Sequence, residues 1–321
     1  MKKVFKIVGI LLGVIVLLLI GGVVFLMLRF PLIEEAPIVK IDATTELIER
    51  GEYLVNNVTA CFECHSPNNE TYFSKPIIKG KEGSGRLFLG DESGFPGNLY
   101  SRNITPTTLK NWTDGEIMRA VTSGIGKDGN PLFAIMPYKS YQQLSEPDLH
   151  AIIAYLRSIP ALEGETTATT LNFPLNLVVR IMPKPAQAKP HPDFTNALER
   201  GKYLTFIAGC HSCHTNGEDA APFSGGTEYP LNNGMLRSAN ITPDNETGLG
   251  SWTLEDFIQK FRMFAEPEMQ TTVVADDSYN TEMPWTVYAG MTEEDLTAIY
   301  TYLRSVKPVK NSIDVFTPTP K

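Results

Sequence analysis

With 321 residues, 42% of them apolar and 20% charged, the chain can bury the cores of two ordinary domains and is too apolar for wholesale disorder. A net charge of −8 excludes a nucleic-acid binder working through a broadly basic surface, and four cysteines are too few for a disulfide-stapled scaffold of this size. None of the four stands alone: Cys61 pairs with Cys64, Cys210 pairs with Cys213, and a histidine follows each pair.

Residues 7–28 carry no charge over 22 consecutive positions. As a helix they span roughly 33 Å, enough for a hydrocarbon core of about 30 Å. Lys2, Lys3 and Lys6 precede the run and Arg29 follows it. The positive-inside rule then makes residues 1–30 a cytoplasmic N-terminus and single-pass anchor in a bacterial cytoplasmic membrane, with everything after Phe30 in the periplasm. A cleaved signal would have an apolar stretch of about 7–15 residues ending in small side chains, whereas this one is longer and ends in Phe25-Leu26-Met27-Leu28. Setting aside Lys2, Lys3, Lys6 and Arg29 leaves the exported part at −12, which favours basic partner surfaces.

Residues 31–43 lead into an internal repeat. Glu49-Arg50-Gly51 with Tyr53-Leu54 returns as Glu199-Arg200-Gly201 with Tyr203-Leu204. Asn103-Ile104-Thr105-Pro106, Trp112-Thr113, Met136-Pro137 and Tyr155-Leu156-Arg157-Ser158 return in the same order as Asn240-Ile241-Thr242-Pro243, Trp252-Thr253, Met283-Pro284 and Tyr302-Leu303-Arg304-Ser305. The chain therefore divides into domains at 44–160 and 193–310, a proline-rich linker at 161–192 and a tail at 311–321. Each unit reads as helical with long loops. An amphipathic segment runs up to the cysteines, Thr113 with Glu116 or Thr253 with Asp256 caps a middle helix, and a last helix starts after Ser145 or Thr292. The first unit has a net charge of −2 and the second −9, so the second is the better candidate to dock a basic partner.

Both cysteine pairs read Cys-x-x-Cys-His, the c-type haem attachment pattern. Two thiols on one helical turn can each add across a porphyrin vinyl group, and the next residue aims its imidazole at the iron. A zinc ribbon would place its cysteine pairs about 15–20 residues apart, and a disulfide would leave the histidines without a role. The expected cofactors are two covalently bound haem c groups, held by Cys61, Cys64 and His65 and by Cys210, Cys213 and His214.

A second permanent ligand suits rapid electron transfer, and methionine sulfur raises the potential. Met136 and Met283 alone occupy matching places, 71 and 69 residues after their histidines, and each precedes a proline. Met118 corresponds to Ile258 and Met291 to Leu144, which marks those two as packing. His211 corresponds to Phe62, and His150 to Thr297. For Trp112, Trp252 and the Asn-Ile-Thr-Pro segments, a core-and-turn role and a haem-lining role both remain open.

These motifs resemble the cytochrome c subunits of membrane-bound alcohol, aldehyde and gluconate dehydrogenases. That resemblance implies an all-α fold: a transmembrane helix, then two tandem class I-like cytochrome c domains. It covers about three-quarters of the chain, which has two haem motifs where those subunits have three. The expected function is single-electron transfer from a dehydrogenase or respiratory donor to a downstream acceptor such as a terminal oxidase, without catalysis and without nucleic acid. The alternative is a di-haem peroxidase with one iron able to open, which the matched Met-Pro pairs oppose.

Overall fold

The computed structural model describes residues 1–186, 189–231, 233–275 and 278–319. Helix α1 (Lys2–Arg29) is long and apolar enough to cross a membrane, and none of its residues is buried. The first repeat contains α2 (Thr45–Tyr53), α3 (Cys61–His65), β1 (Arg86–Leu89), β2 (Gly97–Ser101), α4 (Pro106–Leu109), α5 (Asp114–Ser123), α6 (Tyr138–Tyr141) and α7 (Glu146–Ser158). Between the repeats lie β3 (Thr170–Leu171) and α8 (Leu175–Ile181). The second repeat contains α9 (Ala197–Ile207), α10 (Cys210–Cys213), β4 (Glu228–Leu231), β5 (Gly234–Arg237), α11 (Leu254–Arg262), α12 (Pro267–Gln270), α13 (Trp285–Tyr288) and α14 (Glu293–Ser305). Strand β6 (Phe316–Pro318) closes the chain.

The all-α expectation needs correction. Two three-stranded antiparallel sheets, in the orders β1-β2-β3 and β4-β5-β6, accompany the helices. Their strands are two to five residues long, too short for alternation to register in the sequence. In each sheet the third strand comes from outside the repeat, with Gly97 opposite Leu171 and Met235 opposite Thr317. The segment after α7 is thereby laid along the first repeat, where the Glu165 carbonyl also accepts from the Asn103 amide at 2.6 Å.

Each repeat is built on one helix crossing, α2 on α7 and α9 on α14. Glycine is what lets the helices meet. A Cβ added at Gly51 would stand 1.9 Å from the Ala151 carbonyl oxygen, and one at Gly201 would stand 1.9 Å from that of Ala298. Side-chain caps fix the starts of the later helices in each repeat. Thr113 and Glu116 form a capping box on α5, Thr253 and Asp256 one on α11, and Ser145 and Thr292 accept from Asp148 and Asp295 on α7 and α14.

The repeats share one apolar core, in which Leu54, Val58, Ile152 and Ile153 are continuous with Leu204, Ile207, Leu296 and Ile299. Across it runs a reciprocal polar lock. Tyr203 donates to Asp148 at 2.6 Å while its oxygen accepts from the Ser145 amide at 3.2 Å. In mirrored fashion, Tyr53 donates to Asp295 at 2.5 Å and accepts from the Thr292 amide at 3.1 Å. Each aspartate is 2% exposed and is also gripped from its own repeat, Asp148 by Arg50 at 2.9 Å and Asp295 by Arg200 at 2.6 Å. The two guanidinium groups lie over Phe194 at 5.6 and 5.2 Å. Burial, then the facing Asp295, pushes the Tyr53 hydroxyl up to about 12, so it remains a donor at neutral pH.

Alanine at Gly51 or Gly201 should destabilise the chain by about 2–3 kcal/mol, despite a helix-propensity gain of about 1 kcal/mol, because the helices must part. Denaturant midpoints of the two variants check this. An unchanged or raised midpoint would show that the crossing tolerates a methyl group.

Candidate haem sites

The backbone enters both Cys-x-x-Cys-His motifs through a left-handed residue, Ala60 with φ 51° before α3 and Gly209 with φ 75° before α10. That turn reverses the chain after α2 or α9 and starts a new helix at the first cysteine, bringing both thiols onto one turn. Burial pushes the thiols up, Cys61 to about 11 and Cys64 and Cys210 to about 12, so they are held protonated. Among the described residues, no three His, Cys, Asp or Glu side chains cluster as a metal site.

The histidines are oriented identically. His65 Nδ1 lies 2.7 Å from the Arg102 carbonyl and His214 Nδ1 lies 2.7 Å from that of Ala239. A carbonyl only accepts, so Nδ1 carries the proton and donates, leaving the Nε2 lone pair free for iron. Burial lowers both histidines, which keeps the imidazoles in the neutral, ligating form. Their own carbonyls are fixed too, accepting from the Gly85 amide at 2.7 Å and the Gly225 amide at 2.8 Å. Arg102 and Ala239 each precede an Asn-Ile-Thr-Pro segment. Asn103 and Asn240 fold those segments by accepting from Thr105 and Thr242 and donating to the carbonyls of Leu162 and Val309, both at 2.7 Å. These side chains build the turn that presents the carbonyl to the histidine.

Met136 and Met283 stand just before α6 and α13, half-buried against the core that also touches Cys61 and Cys210. The helix after each methionine is tied to the turn before the matching cysteines. Tyr141 donates to the Thr59 carbonyl and Tyr288 to that of Ala208. Both tyrosines are buried, and both recur in the repeat. The two methionine loops then differ. Tyr138 donates its amide to the Met136 carbonyl at 2.8 Å, and Trp285 does the same at Met283. Among the described residues, only the second loop is also hydrogen-bonded from the other repeat. Ser74, 2% exposed and with φ 60°, donates to the Met283 carbonyl at 2.8 Å and accepts from the Trp285 amide at 3.0 Å. Asn280 accepts from the Ser74 amide at 3.0 Å, and Lys75 pairs with Glu282.

The donor set fits haem c: two thiols on one turn, then an imidazole with its tautomer fixed and its Nε2 unengaged. Among the described residues, the buried Tyr138 hydroxyl and one Glu63 carboxylate oxygen have no hydrogen-bond partner, and both lie in or next to the first motif and its methionine loop. Burial raises the Glu63 carboxyl to about 7. The remaining histidines lie elsewhere in the repeats. His211 stacks on Phe206 at 4.6 Å, His191 bonds Ser145 at 3.0 Å, and His150 lies 3.8 Å from Glu146.

Residues 198–307 match the family model for cytochrome c. The second repeat is a cytochrome c domain. A cytochrome c domain carries covalently bound haem c, and the matched residues include Cys210-x-x-Cys213-His214. The chain is 27% identical over 303 residues to the gluconate 2-dehydrogenase cytochrome c subunit of Pantoea cypripedii, covering 86% of this chain and 63% of that one. It is 28% identical to the cytochrome c subunit of the alcohol dehydrogenase (quinone) of Gluconacetobacter polyoxogenes, over 87% of this chain and 60% of that one. With the fructose dehydrogenase cytochrome subunit of Gluconobacter japonicus it is 32% identical, over 81% and 52%. It thus spans half to three-fifths of the length of these relatives.

Sequence reading missed the carbonyls of Arg102 and Ala239, the four interface and loop tyrosines, and Ser74. The tyrosines recur at matching positions, so the repeat itself was their signal. Ser74 has none, because it lies in a stretch between the motif and Gly85 that the second cytochrome c repeat lacks.

Only the backbone separates Ala60 from Gly209, since a Cβ at Gly209 would meet nothing closer than Ser212 at 3.5 Å. Ala60→Gly should raise stability by about 0.5–1 kcal/mol and Gly209→Ala should lower it by about 1 kcal/mol. Denaturant unfolding measures both. Equal and same-signed changes would remove the strain at Ala60.

Proposed function

We propose that the chain is a membrane-anchored di-haem c-type cytochrome that passes single electrons from a dehydrogenase or respiratory donor to a downstream acceptor. Residues 44–160 and 193–310 are its two cytochrome c domains. Cys61, Cys64, His65 and Met136 hold one haem; Cys210, Cys213, His214 and Met283 hold the other. Residues 7–28 anchor it in the cytoplasmic membrane with both domains in the periplasm. The observation that carries this reading is the matched hydrogen bond from each motif histidine to the carbonyl before an Asn-Ile-Thr-Pro turn. A structure with one working site would have no reason to keep both tautomers fixed. The relatives, each a cytochrome subunit of a dehydrogenase, support the carrier over the peroxidase alternative.

Haem supplies a one-electron couple whose potential its axial ligands set. The residues of this chain keep reorganisation small. Arg102 and Ala239 hold the imidazoles still, Tyr141 and Tyr288 tie the methionine helices to the cysteine turns, and Ser74 braces the Met283 loop from the opposite repeat. One apolar core shared by the two repeats supports exchange between the two haems. A net charge of −9 on the second domain suits a partner with a basic face.

Optical spectra of the full chain test the ligand set. Met136→Ala and Met283→Ala should each remove about half of the methionine–iron charge-transfer band in the far red, and the double variant all of it. A single substitution that leaves the band whole contradicts that methionine's role. A high-spin haem in the unaltered chain would favour the peroxidase.

A further inference from the structure

We infer that helix α8 lies in the lipid headgroup layer beside α1 and is a second, peripheral contact between this chain and the membrane. The inference rests on the anchor reading of α1. It begins from how α1 ends. The last carbonyls of a helix have no intrahelical donor, and at a membrane boundary that deficit is costly. Leu26 is satisfied by the Phe30 amide at 3.0 Å. Arg180 of α8 satisfies two more, donating from Nε to the Phe30 carbonyl at 2.9 Å and from Nη2 to that of Met27 at 3.2 Å. A guanidinium at a helix C-terminus is also favoured by the helix dipole. Helix α8 is thus fixed against the point where the apolar run of α1 stops, about 8–10 Å away as packed helices are.

At that depth its outer face is apolar. Pro174, Val178 and Ile181 follow one another at i, i+4 and i+7 and share a face, which Phe173 extends. Phe173 is 74% exposed, Ile181 47% and Val178 39%, whereas Val179 on the opposite side is buried against the protein. An interfacial helix sinks such a face about 5–10 Å into the boundary, which the offset from α1 allows. Charge selects the same occupant. Residues 166–192 contain no acidic residue and three basic ones, Arg180, Lys184 and Lys189, in a chain whose net charge is −8. The otherwise acidic part after Phe30 presents its longest acid-free stretch where anionic headgroups would be.

The test uses the full chain with one added cysteine carrying a nitroxide, at Leu17, Ile181 or Glu255, reconstituted in vesicles of phosphatidylcholine with phosphatidylglycerol. Electron paramagnetic resonance then compares line broadening by oxygen, which partitions into lipid, with broadening by a water-soluble nickel chelate. The label of Leu17→Cys should respond to oxygen alone and that of Glu255→Cys to nickel. The inference requires the label of Ile181→Cys to lose its nickel response on reconstitution while keeping that to oxygen. If Leu17 is lipid-buried but Ile181 stays as open to nickel as Glu255, the inference fails and the anchor stands, and the face is left for a protein partner. If Leu17 itself responds to nickel, the anchor fails and takes the inference with it.

Discussion

Two buried aspartates hold this molecule together. Asp148 and Asp295 each sit at the first turn of the last helix of a repeat, each takes an arginine from its own repeat, and each takes a tyrosine hydroxyl from the other. A buried carboxylate that loses one partner costs about 3–5 kcal/mol, so neither repeat can separate from the other without exposing or orphaning both charges. The lock is placed where α2 crosses α7 and α9 crosses α14, the crossings that Gly51 and Gly201 make possible. From those crossings the chain runs directly through a left-handed turn into the cysteines. The same contact that joins the repeats therefore sets where the two haem motifs lie relative to each other.

The arrangement has near two-fold symmetry, and its departures are informative. Both histidines, both Asn-Ile-Thr-Pro turns and both buried tyrosines are matched. What differs is the bracing of the methionine loops, since Ser74 and Asn280 stitch only the second to the opposite repeat. Charge differs in the same sense, with most of the acidity on the second repeat. The two units thus differ in loop bracing and surface charge, while the hydrogen bonds that orient the histidines are matched.

Most of the candidate site could be read in the sequence because its chemistry is written in short, rigid motifs. Cys-x-x-Cys-His occupies one helical turn, and the repeat singled out Met136 and Met283 among ten methionines. What escaped was what depends on the backbone or on long range. The histidine partners are main-chain carbonyls, which no residue identity betrays. The Tyr53–Asp295 pair joins residues 242 positions apart. The sheets were missed because each borrows a strand of two or three residues from outside its repeat, where pairing, not side-chain pattern, makes the strand. Which surface the proline-rich segment meets was not legible either: Leu171 pairs with Gly97 of the first repeat, and Arg180 bonds the end of α1.

The central claim is that both repeats carry haem on one chain. Intact-mass measurement of the full chain after denaturation tests it most directly, because only covalently attached haem survives that treatment. The mass should rise by two haems, and by one haem when Cys210 and Cys213 are both replaced by serine. A single haem on the unaltered chain, or haem released on denaturation, would contradict it.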